Sequence, residues 1–202
     1  MSRALVHIVD DDEAVGRALT ALARSSGHAT AVYASALQLL EALSVDNAGC
    51  IVTDVRMPDM SGLDLLRELG RRDIRIPVIV MSGQGDIPMA VEALKLGAMD
   101  FIEKPFDTDV FLERIGQALA RSQGMAEQRA LLSASRARLS QLTAREREVM
   151  GLIVQGYSNH AVASRLGISG RTVENHRAKV MEKMAASGLS DLIRTALMLE
   201  AG

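Results

Sequence analysis

Five short apolar runs in the first 121 residues each lead into a stretch of helical periodicity. This alternation constrains the fold more than any other feature of the chain. The runs are LVHIV (5–9), ATAVY (29–33), CIVTD (50–54), PVIVM (77–81) and MDFI (99–102). Between them lie AVGRALTALARS, SALQLLEAL, GLDLLRELG and PMAVEALKLG, each with apolar residues three and four apart. A fifth helix is expected from Asp107 to Arg121. The pattern predicts an α/β domain, a (βα)5 doubly wound parallel sheet with helices on both faces. The strands are apolar almost throughout, as strands covered on both sides must be.

Polar residues gather where these strands end. Asp10 and Asp11 end the first, Asp54 the third, Ser82 follows the fourth and Lys104 the fifth. Ligands of doubly wound sheets bind at the carboxyl ends of the strands, and a 2-1-3-4-5 strand order sets the first and third strands side by side. Clustered carboxylates repel one another, and burying them is costly unless a cation pairs with them. Three carboxylates with room for water suit Mg2+, which prefers oxygen ligands. Singly, each residue has a structural alternative. Asp10, Asp11 and Glu13 also suit the first turn of a helix, and Asp12 suits a cap or solvent. Asp54 fits a turn before Met57-Pro58, Lys104 the surface, and Phe101 a static core. The SGQGD stretch (82–86) lacks the third glycine and the ribose acid of a dinucleotide fingerprint. Its glycines read as a flexible loop beside Ser82, with Asp86 capping the next helix.

After Arg121 the strand signals stop. Residues 122–140, SQGMAEQRALLSASRARLS, read as a partly helical linker that continues the fifth helix. Residues 141–202 carry four helical patterns and form an all-α domain. Thr143 and Glu146 make a T-x-x-E capping box, and Gly156 suits the end of that helix. Ser158 caps NHAVASRL, Gly167 permits a tight turn with Ile168 as an apolar plug, and Ser169 caps GRTVENHRAKVMEKM. A short helix, a glycine turn and a basic helix are the grammar of a helix-turn-helix. The charge divides the same way. Residues 1–121 hold 12 Lys and Arg against 18 Asp and Glu, and residues 122–202 hold 11 against 7. An acidic front and a basic back suggest two domains with different partners.

The ordered set DD…D…S…K-P, with VTDVRMPDMSG (52–62) and FIEKPF (101–106), resembles the response-regulator receiver domain of the FixJ subfamily across residues 3–121. The resemblance implies that Asp54 accepts a phosphoryl group from a phosphohistidine on a sensor histidine kinase. It implies Mg2+ bound by Asp11 directly, by Asp10 mainly through water, by Asp54 and by the backbone carbonyl of Arg56. Mg2+ and Lys104 would offset charge developing on the phosphoryl oxygens. Ser82 would hydrogen-bond a phosphoryl oxygen, and Phe101 would turn inward as Ser82 moves. Many receivers carry Thr where this chain has Ser82, so a looser switch is expected. Arg56 and Gln84 would flank the phosphoryl site and tune water access.

The second half, LTARE…G.SN..VA..LGIS.RTVE.HR.KV..KM, resembles the LuxR/GerE-type DNA-binding domain across residues 141–200. That resemblance implies a recognition helix at Arg171–Met184, with Glu174, Asn175 and Ala178 facing bases. Thr172 and the Ser158–His160 region would reach phosphates. Some family members carry lysines at the positions of Glu174 and Ala178. Affinity here is therefore expected from phosphate contacts by Arg171, Arg177, Lys179 and Lys183. Val173, His176 and Val180 have the spacing of a core face, while Arg177 and Lys183 also fit an ordinary solvated face. The last helix carries an apolar stripe at Leu189, Leu192, Ile193, Ala196 and Leu197. Some of the stripe has to cover a small core, the remainder is open to the dimer contact that the resemblance implies, with Leu192 and Ala196 as candidates, and the sequence does not separate the two uses.

Together the resemblances imply a phosphorylation-controlled, DNA-binding transcriptional regulator, an activator in the manner of FixJ-like proteins. Its only catalysis would be its own phosphoryl transfer and autodephosphorylation. The partners implied are a sensor histidine kinase, double-stranded promoter DNA, RNA polymerase and, on phosphorylation, a second copy docked around Val91, Leu94, Lys95 and Phe101. There is no apolar run of about 18 residues, so no membrane span is expected. Acid begins at Asp10, which argues against a secretory signal. Cys50 is the only cysteine, which excludes an internal disulfide and fits the cytoplasm. A metal-dependent phosphohydrolase of the haloacid-dehalogenase type would need an acid two residues after Asp54, where this chain has Arg56. A helix-turn-helix that docks protein is the other rival, distinguishable by a salt-dependent gel shift on duplex DNA.

Overall fold

The computed structural model describes residues 4–44, 48–83 and 87–201, which divide into two compact units, 1–126 and 127–202. Gln84 and Asp86, expected beside the phosphoryl site and at a helix cap, lie outside the described residues.

The first unit alternates strand and helix throughout. Its elements are β1 (Leu5–Val9), α1 (Glu13–Ser25), β2 (Ala29–Tyr33), α2 (Ala36–Ala42), β3 (Gly49–Asp54), α3 (Gly62–Arg71), β4 (Val78–Ser82), α4 (Ile87–Lys95), β5 (Asp100–Glu103) and the part of α5 (Thr108–Ser140) up to residue 126. All strand pairs are parallel, in the order β2-β1-β3-β4-β5. Successive side chains point to opposite faces of a strand, so β1, β3, β4 and β5 each feed two cores. Val9, Ile51, Val78 and Val80 pack with Leu39, Leu65 and Ala93 of α2, α3 and α4. Val6, Ile8, Val52 and Ile79 pack with Leu19 of α1 and Phe111 and Ile115 of α5. Cys50 belongs to the second core. It is fully buried, and burial pushes its thiol up to about 12.

The fifth helix does not stop near Arg121 but continues to Ser140. The reason is compositional. Residues 122–140 contain no proline and one glycine among Ala, Arg, Gln and Leu, all good helix formers. Within the first unit, the buried Ser122 hydroxyl accepts the backbone N–H of Gly49 at 2.9 Å, fastening α5 to the start of β3.

The second unit adds α6 (Ala144–Val154), α7 (Asn159–Leu166), α8 (Gly170–Lys183) and α9 (Leu189–Ala201). The starts of α6, α7 and α8 are chemically marked. Thr143 and Glu146 form a reciprocal capping box, while Ser158 and Ser169 accept the N–H groups of Ala161 and Thr172. Gly167 sits at φ 62°, the left-handed conformation that costs glycine least, and turns the chain between α7 and α8. The core gathers Leu142, Val149, Ile153, Val162, Val173, Val180, Leu192 and Ala196. Among the described residues, no helix is long and apolar enough to cross a membrane.

Candidate functional site

Register brings the acidic residues together. Val9 of β1 lies opposite Thr53 of β3, so Asp10 and Asp54 leave adjacent strands at the same level. Asp10 is 4% exposed, Asp54 is half-buried and Asp11 is exposed. The next carboxylate has a different task. Asp12 caps α1, accepting the N–H of Ala14 at 2.8 Å and of Val15 at 3.3 Å.

A single ammonium joins the two strand ends. Lys104 Nζ lies 2.5 Å from Asp54 Oδ1 and 3.2 Å from Asp10 Oδ2. Its own backbone N–H donates to the Ser82 carbonyl at 2.7 Å, which holds the end of β5 to the end of β4. The peptide bond between Lys104 and Pro105 is cis. The second oxygen of Asp54 accepts the N–H of Arg56 at 2.7 Å, and Asp10 Oδ1 accepts the N–H of Asp12 at 2.9 Å. Burial raises the pKa of Asp10, and only part of that is offset by the Asp12 N–H and by Lys104. Burial alone would lower Lys104, but its bonds to Asp54 and Asp10 outweigh this and hold it above the ordinary lysine value.

The pocket suits a hard cation. Its converging donors are carboxylate oxygens, and the buried Asp10 is stabilised in its charged form by the Asp12 N–H and by a positive partner. No group of three or more His, Cys, Asp or Glu side chains is gathered among the described residues. Two converging carboxylates are nevertheless a set that Mg2+ accepts, because it retains several waters.

Ser82 is buried at the end of β4, one residue beyond the Met81 that pairs with Asp54. Phe101 is half-buried against the first core and lines a groove of about 300 Å³ with Ile87, Ala90, Val91 and Leu94. Val91, Leu94 and Lys95 are exposed on α4.

Sequence reasoning missed Gly62. A Cβ there would stand 2.3 Å from the Asp54 carbonyl oxygen and 3.3 Å from Thr53 Cγ2. The Gly62 N–H donates to the Val55 carbonyl at 2.9 Å, so the start of α3 is clamped on the Asp54 loop. The available signal was Ser61-Gly62 directly before the apolar helix LDLLREL, a cap followed by the smallest residue.

In the second unit α7, the Gly167 turn and α8 form the expected helix-turn-helix. Arg171, Glu174, Asn175, Ala178 and Lys179 are exposed on α8, whereas Val173 and Val180 are fully buried. Thr172 Oγ1 lies 2.8 Å from the capping Ser169 hydroxyl. His176 is half-buried, its Nδ1 fully enclosed. Arg177 is half-buried and donates to Asn159 Oδ1 at 3.1 Å. Lys183 is half-buried and donates to Glu146 Oε2 within its own domain. One expectation is corrected. Leu192 and Ala196 are 0% and 7% exposed and belong to the core, so they are not available as a dimer face. Both belong to the core with Val149, Val173 and Val180, and of the other stripe residues Leu189 and Leu197 are exposed and Ile193 is half-buried.

Comparisons with known proteins show the family. The family described as response regulator receiver domain matches residues 6–116, and the luxR family of bacterial regulatory proteins matches residues 140–196. The transcriptional regulatory protein FixJ of Azorhizobium caulinodans is 48% identical, covering 96% of this chain and 92% of its own. FixJ of Rhizobium meliloti is 47% identical, covering 95% and 94%. Among solved structures, the response regulator StyR aligns with a TM-score of 0.86 at 35% identity, over 97% of this chain and 99% of that one. Full-length FixJ from B. japonicum aligns over the whole of both chains with a TM-score of 0.59 at 38% identity. The chain therefore belongs to the FixJ-like response regulators of two-component systems, transcriptional regulators that join a receiver domain to a LuxR-family DNA-binding domain.

Proposed function

We infer that Asp54 is the phosphoryl acceptor and that its phosphorylation by a sensor histidine kinase controls promoter binding. The observation that carries this reading is the convergence of Asp54 and Asp10 on Lys104 at the ends of neighbouring strands. An Asp54 oxygen attacks phosphorus while the P–N bond of the donor phosphohistidine breaks, the electron pair leaving with the imidazole. The product is an acyl phosphate on Asp54. Lys104, already bound to the attacking carboxylate, follows the negative charge onto the phosphoryl oxygens. Asp10, Asp11, Asp54 and the carbonyl of Arg56 would hold Mg2+. Bound there, the ion supplies the remaining charge neutralisation that such a transfer requires. In this reading Ser82, buried at the end of β4, donates its hydroxyl to a phosphoryl oxygen, and the half-buried Phe101, which lines a groove with α4, turns inward.

Phosphorylation acts through its different effect on two receiver states. The exposed Val91, Leu94 and Lys95 are the surface through which the active state pairs with a second copy. The paired DNA-binding domains then engage promoter half-sites in the cytoplasm and recruit RNA polymerase, as an activator. The protein acts on no separate small-molecule substrate.

The test is phosphorylation by acetyl phosphate in Mg2+. The wild-type chain is expected to take up one hydroxylamine-labile phosphoryl group and Asp54→Asn none. Undiminished labile incorporation in Asp54→Asn would remove Asp54 from this role.

A further inference from the structure

Two of the four basic side chains expected to face the DNA backbone are engaged inside their own domain. Lys183 closes α8, with Nζ 2.7 Å from Glu146 Oε2 and 3.3 Å from the Gln141 carbonyl oxygen. Glu146 is 3% exposed. The same Oε2 accepts the backbone N–H of Thr143 at 2.8 Å, and Thr143 Oγ1 accepts the N–H of Glu146 at 3.3 Å. A capping box open to water needs no cation. This one is buried, and a buried carboxylate left without a positive partner is strongly destabilising. Its partner is the last residue of the recognition helix, where positive charge also complements the helix dipole. The pair thus ties the first turn of α6 to the last turn of α8. Arg177 ties the middle of α8 to the first turn of α7 through Asn159. Arg171 and Lys179 are exposed and form no ion pair among the described residues.

We propose that Lys183 is a positioning residue for DNA recognition and not a phosphate ligand: its bond to Glu146 sets the angle at which α8 leaves the core, and Arg171 and Lys179 make the backbone contacts. This rests on the DNA-binding reading of the second domain and assigns the labour within it.

The test uses the full-length protein and a duplex selected from random DNA with the wild-type chain. Affinity is measured between 50 and 200 mM salt, where each lost phosphate contact flattens the log–log slope by about 0.9. Lys179→Gln is expected to flatten it by that amount. Lys183→Gln is expected to weaken binding about tenfold at every salt concentration with the slope unchanged. Glu146→Gln keeps the capping acceptor and removes an acid that repels DNA, yet is also expected to weaken binding. The double variant is expected to be no worse than Lys183→Gln. A flattened slope in Lys183→Gln together with undiminished binding in Glu146→Gln would overturn the proposal.

Calorimetry of the full chain without DNA supplies a second reading. Lys183→Gln should lower the melting temperature of the DNA-binding domain, and adding Glu146→Gln should lower it no further. If Lys183→Gln abolishes that transition and Glu146→Gln restores it, the pair is equally upheld. An unchanged transition in Lys183→Gln overturns the proposal. A wild-type chain that selects no duplex would sink the DNA-binding reading while leaving the melting cycle interpretable.

Discussion

Replacing Gly62 with alanine isolates the geometry of the acceptor loop from its chemistry. The added methyl would stand 2.3 Å from the Asp54 carbonyl oxygen, where ordinary contact begins at 3.4 Å. The obstacle is backbone, so the first turn of α3 and the Asp54 loop have to separate by about 1 Å. Overpacking of this kind costs about 1–3 kcal/mol. A displacement of about 1 Å at a reacting group costs on the order of 100-fold in rate. Helix propensity works in the opposite direction, since alanine is the better helix former. Gly70, eight residues on in the same helix, is a matched control, because nothing lies within 4 Å of its Cβ position. Gly70→Ala should leave the rate unchanged and gain about 0.5–1 kcal/mol in stability. The assay is the rate of phosphorylation by acetyl phosphate in Mg2+, followed by mobility on phosphate-affinity gels, with melting recorded for each variant. A folded Gly62→Ala protein that phosphorylates within about twofold of wild type would refute the reasoning, because the contact would then have no purchase on Asp54.

Further outcomes concern the DNA-binding domain. Leu192→Ala should cost about 2–5 kcal/mol. In a domain of this size that lowers the melting temperature by roughly 10 °C or more. Leu197→Ala, at a residue 55% exposed, should change stability by less than about 0.5 kcal/mol. Equal small losses in calorimetry of the two variants would return Leu192 to the surface. Acid titration gives another check. The Lys183 ammonium and the Thr143 N–H lower the Glu146 pKa from its ordinary 4.5 to about 2. A carboxylate depressed on folding stabilises above its unfolded pKa and loses that contribution as pH falls through its folded value. The stability of wild type relative to Glu146→Gln should therefore be constant above about pH 5 and decline between about pH 4.5 and 2. A difference that stays flat across that range would show that Glu146 does not bind Lys183 in solution.

The receiver was legible because its physics is local. Strands buried on both faces must be apolar along their length, and Leu5–Val9, Gly49–Asp54 and Val78–Ser82 announce themselves as runs. Each ends in the polar residue that meets its neighbours at the rim, so position along the chain already placed Asp10, Asp54, Ser82 and Lys104. Three of the four helices of the second domain were legible from their caps and the last from its apolar stripe. Partners distant in sequence were not. Lys183 and Glu146 are 37 residues apart, and a basic residue at a helix end has the same local signature whether it meets a phosphate or a carboxylate. The stripe on α9 failed for a related reason. Leu189, Leu192, Ile193, Ala196 and Leu197 share one stripe, and only the packed fold decides that Leu192 and Ala196 are the ones it buries. Residues 122–140 lacked an apolar face strong enough to predict a helix through their full length, although nothing in them interrupts one. Gly62 was hidden because a missing side chain leaves no pattern; its importance lies in how closely another segment of backbone approaches.

The single thiol makes the molecule convenient to instrument. Cys50 lies fully buried in the second core of the receiver with its deprotonation pushed to about 12, so at neutral pH the folded chain offers no reactive sulfur to a maleimide. A cysteine introduced at exposed Val91 or Leu197 would carry a fluorophore or spin label alone, with no need to remove the native residue. Distances and docking events could then be followed in an otherwise unaltered protein.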